Sequence, residues 1–508
     1  MPQPTSILTN KGTDPCGVEM IYDNLLAMAA QVPTTSGLRQ GEVFTPYAEV
    51  VERIDRLAVG FMECGLERGD PVALLLPNSP DLFVTSYALF AIGAIAMPMA
   101  ETATRSELAT LARKTRPRAV VSTPGRAVVA EALIADAAPG IPLFPTGALP
   151  EGRTTTRLPE LPGDTTALYL FSSGSTGLPK VVPHTHAELL ADGERAGTAW
   201  DIQPDDIVLN ILPGNFSMGF QMATAYAVAG GATTLYWSDR LPLALSREKL
   251  LDTMVRERVT FMGAVPAMYE IITGQAGDFD LRLRMAVSGG VSLKRPVYEA
   301  VRERLGVPLR QNYGSTEASM FAHNDSADPD SSWDSVGKPA GDARARIIPC
   351  DTDFGSAVGE MEIRSSSLMR GYLDNDVANA EAFDEGWFRT GDLASLDEEG
   401  RIFIRGRSKL LIEVSGYKID PIEVEETLMN LPAVAEAAVA GFPDGRNGNR
   451  LIAFVVKEAE VSADELIRYA HRRLSEHKVP AEIAFIDALP RSSAGKVLRG
   501  RLRELQAG

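Results

Sequence analysis

From residue 70 onward the chain alternates short apolar runs with segments of helical period, and this alternation limits the fold more than any other feature. A first wave comprises a strand at 72–76, a helix from about Asp81, a strand at 95–99, a helix around 106–114 and a strand at 119–122. A second places apolar runs at 167–171, 207–212, 233–236, 260–262 and 284–287, with helical segments between them. Strands that alternate with helices read as βαβ units in a largely parallel sheet, and two such waves read as two α/β halves. Past Gly337 the pattern turns hairpin-like, with antiparallel candidates at 359–364 and 401–405 around turn residues, which predicts a small β-rich, barrel-like part. The remainder reads as an α+β unit: a helix from Pro421, strands at 433–441 and 451–457, and a helix whose start is fixed by the capping box Ser462-Ala-Asp-Glu465. The expected fold is therefore α/β, with a large N-terminal domain over 1–406 and a small α+β C-terminal domain over 407–508.

Size and charge narrow the function. The 508 residues suffice for about three domains at roughly 150 each. The 50 Lys and Arg against 67 Asp and Glu leave a net charge of −17, which removes any general attraction to nucleic acid or anionic membrane. The uncharged span 82–100 has the length of a membrane helix, but Thr85, Ser86 and Pro98 interrupt it, so a buried helix running into a buried strand is expected. Three scattered cysteines, Cys16, Cys64 and Cys350, suggest neither disulfides nor a metal cluster and fit a reducing cytoplasm. The first residues show no basic segment followed by an apolar one, so no secretory signal is expected.

The densest chemical signal is Phe171-Ser-Ser-Gly-Ser-Thr-Gly-Leu-Pro-Lys180, in which six of ten residues are Gly, Ser or Thr. Placed directly after a strand, such a loop surrounds phosphate oxygens with N–H groups and hydroxyls, and Lys180 adds a point charge. It is not a Walker A loop, because Val181 follows the lysine and the glycines are spaced differently. A serine-hydrolase elbow is a near miss, since Ser173 stands where that pattern needs Gly.

Four further motifs follow in order: Tyr313-Gly-Ser-Thr-Glu317, Trp387-Phe-Arg-Thr-Gly-Asp392, Gly406-Arg-Ser-Lys409 and Pro490-Arg-Ser-Ser-Ala-Gly-Lys496. Together with the Ser/Gly loop they resemble the signatures of the adenylate-forming superfamily, the acyl- and aryl-CoA ligases, luciferases and adenylation domains, over residues from about 20 to 505. The resemblance implies ATP, Mg²⁺ and coenzyme A as cofactors or co-substrates. It also implies a mobile C-terminal domain that turns between two half-reactions.

Activating a carboxylate brings two anions together and expels pyrophosphate, so cations and oriented dipoles must offset the repulsion. By resemblance Ser172, Ser173, Gly174, Ser175, Thr176, Gly177 and Lys180 receive the departing phosphates, while Gly289, Gly290, Tyr313, Gly314 and Ser315 border the adenine and its phosphate. Thr316 contacts the α-phosphate, Glu317 holds Mg²⁺, Asp392 accepts the ribose hydroxyls, and Arg407 supplies a cation beside them. A hard cation of this kind takes carboxylate and phosphate oxygens. Lys496 carries the chief catalytic expectation, a compact charge beside the developing acyl phosphate. Lys409 matches the hinge and Gly416 the loop beside the thiol tunnel. An isolated lysine or carboxylate is usually a solvated surface group, and it is the surrounding motif that raises each above that reading.

Three departures stand out: Val181 for the usual Gly, Leu410 for an acidic residue, and Asn449 for Glu. A β-branched Val181 reduces backbone freedom beside the phosphate loop. The element Leu212-Pro-Gly-Asn-Phe-Ser-Met-Gly219 resembles the gate of the acyl pocket, with Asn215, Phe216, Ser217 and Met218 as candidates. Ser217 offers no counter-charge to a substrate ammonium, so an uncharged, bulky or medium-chain hydrophobic acid is expected. Gly214, Gly263, Ser288, Gly289 and Gly290 leave room beside Met218, Met268 and Met320, or they only let backbones approach. His184 and His186 read as structural, since no metal-ligating neighbours accompany them.

The expected activity is ATP-dependent formation of an acyl-adenylate followed by transfer to coenzyme A. The alternatives are loading of an acyl carrier protein, retention of a single half-reaction, a serine hydrolase acting through the Ser/Gly loop, and a silent ATP-binding regulator.

Overall fold

The computed structural model describes residues 20–505 except 101–102, 104, 138, 154–155, 173–178, 238, 240, 275–278, 350–357, 408–411, 415–416, 445–447, 475 and 492–496. The chain divides into two compact units, Met1–Arg344 with Arg364–Ala380, and Ala345–Ile363 with Glu381–Gly508.

The first unit holds two sheets, as the two waves of alternation predict. In one, the parallel strands Leu143–Pro145, Ala119–Ser122, Pro71–Leu75, Ile95–Pro98 and Thr166–Ser172 lie in that order, and Lys180–Thr185 closes the edge antiparallel to the last of them. The other runs through Met285–Ser288, Phe261–Ala264, Ile207–Asn210 and Thr233–Tyr236 in parallel, with Gly37–Gln40 and Val43–Pro46 on one side and Leu309–Ser315 and Ser319–His323 on the other.

The uncharged span resolves as expected into the helix Pro80–Ile92 and the strand Ile95–Pro98. Ser79 Oγ accepts the Leu82 N–H at the helix start, and Gly93 ends it at φ +75°, a left-handed stop that glycine adopts without strain. Every residue from 82 to 92 is buried. An all-round apolar helix needs partners on every side, and one core contains Phe83, Tyr87 and Phe90 of this helix, Leu74 and Leu168 of the first sheet, and Phe261 and Val287 of the second. Among the described residues no helix is long and apolar enough to cross a membrane.

The second unit carries two five-stranded sheets. In the first, Trp387–Leu396 pairs antiparallel with Gly359–Arg364, with Phe383–Asp384 and with Ile402–Arg407. Trp387–Leu396 is thus the shared strand of this small β-rich part, pairing with three others. The boundary expected at 407 lies inside this unit, at the end of the strand Ile402–Arg407. In the second sheet Val434–Asp444 and Gly448–Lys457 form a long hairpin, and the helices Pro421–Met429 and Ala463–His471 share a core with it. The Ser462 capping box is present, with Glu465 N–H on Ser462 Oγ and the Glu465 carboxylate on the Ser462 N–H.

Candidate active site

In open α/β sheets ligands gather outside the carboxyl ends of the strands. At that end of the sheet built on Ile207–Asn210 and Met285–Ser288 stand the segment 211–218, Gly289 and Gly290, and the hairpin that carries Tyr313-Gly-Ser-Thr-Glu317. Asn210, the last residue of its strand, organises the first of these. Its Nδ2 donates to Gly219 O at 3.1 Å and to Asn78 Oδ1 at 3.0 Å, its Oδ1 accepts the Leu212 N–H at 3.2 Å, and its backbone carbonyl accepts from Asn78 Nδ2 at 2.8 Å. Phe216 caps the helix Ser217–Thr224 from an extended conformation.

The Tyr313–Glu317 motif sits at a tight turn between Leu309–Ser315 and Ser319–His323, with a register shift after Tyr313. Gly314 is required there, because a Cβ would lie 2.3 Å from Ser319 O. Ser315 Oγ accepts the Ala318 N–H at 3.1 Å inside the turn. From beneath, the helix His186–Ala199 grips the returning strand. Asp192 Oδ1 accepts the Met320 N–H at 2.9 Å, and Arg195 donates to Met320 O at 3.2 Å. Arg195 also reaches Ser367 Oγ at 2.6 Å, Ser366 Oγ at 3.1 Å and Asp342 Oδ1 at 2.5 Å. Burial pushes the Asp192 carboxyl up to about 6, against the opposing pull of Arg195, the Met320 N–H and the Tyr226 hydroxyl.

Residues 173–178 of the phosphate loop lie outside the described residues, but its two ends are placed. Ser172 pairs with Lys180 across the antiparallel hairpin Thr166–Ser172 and Lys180–Thr185. Val181, the departure from Gly, is fully buried in a strand among Leu75, Met97 and Tyr169, a setting that suits a β-branched side chain. The Lys180 ammonium lies 4.3 Å from the centre of the Tyr372 ring, and the Tyr372 hydroxyl donates to Glu317 Oε1 at 3.0 Å. Burial and the neighbouring Glu317 charge drive the Tyr372 phenol far above its ordinary range, so it remains a neutral donor. Glu317 is partly exposed, and its Oε2 has no hydrogen-bond partner among the described residues. A carboxylate with one oxygen oriented and the other open suits a hard divalent cation. Glu317 therefore has the chemistry to hold a divalent cation, which would supply charge neutralisation to phosphates when bound. Among the described residues no cluster of three or more metal-ligating side chains occurs.

The pocket candidates fall into two groups. Gly263 is flanked by methionines, since a Cβ there would lie 2.8 Å from Met218 Cε and 2.7 Å from Met222 Sδ. Leu82 fills the space beside Gly214, and the Asn312 amide that beside Gly289. The Ser288 hydroxyl and Asn312 Oδ1 are buried with no hydrogen-bond partner among the described residues. Asn215, Phe216, Ser217 and Met218 are half-buried, whereas Met320 is buried in the core.

Asp392 and Arg407 belong to the second unit, where they face each other across paired strands and Arg407 Nε donates to Asp392 Oδ1 at 2.6 Å. Thr390 Oγ1 donates to Met361 O at 2.7 Å and accepts the Asp392 N–H at 3.0 Å, which fixes the approach to the carboxylate. Lys496, Lys409 and Gly416 lie outside the described residues. The ends of the Lys496 loop are placed, because Arg491 and Val497 form an antiparallel bridge.

Sequence reasoning missed Tyr372, Asn210, Asp192 and Arg195, and gave His184 no specific partner. His184 is fully buried, and its Nε2 lies 2.8 Å from Thr316 O. His186 is also fully buried, and its imidazole is held neutral by burial and by Arg68, down to about 4.

The chain matches one family along most of its length. The descriptions "AMP-binding enzyme" over residues 28–373 and "AMP-binding enzyme C-terminal domain" over 423–496 both fit. The chain belongs to this family, the adenylate-forming superfamily. It is 30% identical to an indoleacetate–CoA ligase of Aromatoleum aromaticum, covering 94% of this chain and 96% of that enzyme. A feruloyl-CoA synthase of an Amycolatopsis species is likewise 30% identical, over 94% of this chain and 96% of its own. Among solved structures, the o-succinylbenzoate-CoA synthetase of Bacillus subtilis with its acyl-adenylate intermediate superposes with a TM-score of 0.84 at 26% identity, covering 96% of this chain and 98% of that one. The same synthetase with ATP and magnesium ion gives 0.83.

Proposed function

We propose that this chain, an AMP-forming acid–CoA ligase, acts on an uncharged hydrophobic carboxylic acid of bulky or medium-chain type. A carboxylate oxygen attacks the α-phosphorus of ATP, the bond to the bridging oxygen breaks, and pyrophosphate leaves. The sulfur of coenzyme A, having lost its proton, then attacks the acyl carbon and AMP departs. Two steps turn a poor electrophile into a good one before the thiol arrives.

The observation that carries this reading is the contact series from Lys180 through Tyr372 to Glu317, which joins the exit of a phosphate loop to a carboxylate suited to a cation. Lys180 and the loop 172–177 hold the leaving phosphates in this reading, Thr316 the α-phosphate, and Asp392 with Arg407 the ribose. Tyr313, Gly289 and Gly290 border the adenine. Phe216, Ser217, Met218 and Gly263 line the acid, and the lack of a carboxylate at Ser217 favours an uncharged acyl group. Lys496 stabilises charge in the adenylation step. Residues 407–508 turn about Lys409 for the second step, when Gly416 borders the thiol. The relatives' names support acid–CoA ligation and span varied acids, among them indoleacetate, long-chain fatty acids and sulfoacetate, so the choice of an uncharged acid rests on Ser217. Three widely separated cysteines fit a cytoplasmic setting.

The test is acid-dependent incorporation of labelled pyrophosphate into ATP across a panel of aryl and alkyl acids, with acyl-CoA read by mass spectrometry. Exchange is expected with at least one hydrophobic acid and is abolished by Lys496→Ala. No exchange across the panel would overturn the adenylation reading. Acylation of a carrier protein alone, with free coenzyme A untouched, would overturn the choice of thiol.

A further inference from the structure

We propose that Tyr372 is a positioning residue for the adenylation chemistry, orienting Glu317 for its divalent cation while holding Lys180 at the phosphate loop. The assignment deepens the function proposed above and rests on it.

One side chain meets two motifs that lie far apart in sequence. The Tyr372 hydroxyl donates to Glu317 Oε1 at 3.0 Å, and the face of the same ring lies 4.3 Å from the Lys180 ammonium. The backbone around it repeats the connection. Met369 N–H donates to Glu317 O at 2.8 Å, and Leu373 N–H donates to Val181 O at 3.1 Å. Residues 369–373 therefore strap the exit of the phosphate loop to the turn that carries Glu317.

Tyr372 is itself locked. Its N–H donates to Asn379 Oδ1 at 2.7 Å and its carbonyl accepts from Asn379 Nδ2 at 3.0 Å, so one amide grips both sides of its backbone. Gly371 allows this at φ +154°, where an added Cβ would come within 3.1 Å of that amide.

The chemistry of a phenol suits this place. A neutral donor fixes the carboxylate's orientation without cancelling its charge, so the open oxygen keeps its full attraction for a cation. The ring face attracts an ammonium without neutralising it, so Lys180 keeps its charge for phosphate. A basic side chain at 372 would weaken both functions. Hydrogen bonds that orient a ligating carboxylate typically change metal affinity about 10–100-fold when removed.

Mn²⁺ serves as the probe. In Tyr372→Phe, Mn²⁺ binding to the enzyme–ATP complex, read by electron paramagnetic resonance of free Mn²⁺, is expected to weaken about 10-fold. ATP binding in chelator, read by calorimetry, stays unchanged. In Tyr372→Leu, which also removes the ring beneath Lys180, metal-free ATP binding weakens as well. On a Glu317→Gln background Tyr372→Phe changes Mn²⁺ binding no further, which separates an action through Glu317 from general loosening of the fold. Unaltered Mn²⁺ binding in Tyr372→Phe, or an equal additional loss on the Glu317→Gln background, would overturn the proposal. Tyr372-dependent Mn²⁺ binding in a protein that exchanges pyrophosphate with no acid would leave the positioning role standing and remove the function instead.

Discussion

The imidazole of His184 and the backbone carbonyl of Thr316 are 2.8 Å apart, joining the strand that leaves the phosphate loop to the turn expected to meet the α-phosphate. His184 Nε2 is the donor to this carbonyl, and a carbonyl left buried without a partner costs about 1–3 kcal/mol. His184→Leu is therefore expected to slow pyrophosphate exchange about 10–100-fold, with His184→Gln recovering part of the rate. Exchange at the wild-type rate in His184→Leu would remove the histidine from the positioning of Thr316.

Arg195 is almost wholly buried at 2% side-chain exposure, whereas its partner Asp342 is half exposed at 52%. Arg195 also opposes the charge of the fully buried Asp192, and leaving a buried charge uncompensated typically costs about 3–5 kcal/mol. Arg195→Met should thus lower the free energy of urea unfolding strongly, and Asp342→Asn should change it by less than about 1 kcal/mol, because solvent screens the exposed carboxylate. Equal effects from the two substitutions would contradict this asymmetry.

The buried histidines give stability a pH dependence. Among the described residues neither ring nitrogen of His186 has a hydrogen-bond partner, and burial lowers its imidazole to about 4 from the ordinary 6.5. The unfolded chain binds this proton first, so the contribution is complete above about pH 6.5 and is lost as pH falls toward 4. His323, lowered to about 3 by burial and Arg310, adds a loss of the same sign. Asp192, raised to about 6, acts oppositely, contributing stability in acid that is lost as pH rises through 6. Melting curves of His186→Leu should show a shallower decline between pH 6.5 and 4 than the wild type. An unaltered slope would show that His186 does not titrate on unfolding.

For the hinge, Lys409→Pro should leave pyrophosphate exchange nearly intact and slow thioester formation, since proline fixes φ near −65°. Single-turnover transfer from preformed acyl-adenylate to coenzyme A measures the second step alone. Equal losses in both steps would mean that rotation is not centred on Lys409.

In the acyl region, Met218→Ala removes a side chain that lies against Gly263. The acid panel should then shift toward larger acyl groups. A panel unchanged in order would place the acid elsewhere.

The alternation of strands and helices was legible because each helix keeps a stripe or, at Pro80–Ile92, a whole surface apolar, and that pattern survives in a single sequence. The Ser/Gly loop, Glu317 and Asp392 could be singled out as candidates because dense Ser/Gly runs and fixed motifs concentrate their chemistry in a few adjacent positions. Tyr372 was not, for it stands alone in sequence and gains its role from Glu317, 55 residues away. Asp192 and Arg195 were hidden for a related reason, as charged residues on a helix usually mark a solvated face, and only tertiary contact shows both buried against Met320. The open room expected beside Gly214, Gly263 and Gly289 is taken by Leu82, Met218 with Met222, and Asn312, because a glycine equally serves a neighbour that needs close approach.

Both loops that carry the heaviest chemical expectation hang from joined ends, Ser172 opposite Lys180 in one and Arg491 bridged to Val497 in the other. A loop whose base is already clasped adds little closure entropy when its interior is rewritten. Substitutions between these joined ends that keep the loop length are thus expected to leave the paired strands at each base in place, so the two segments can be varied independently of the pairing that carries them.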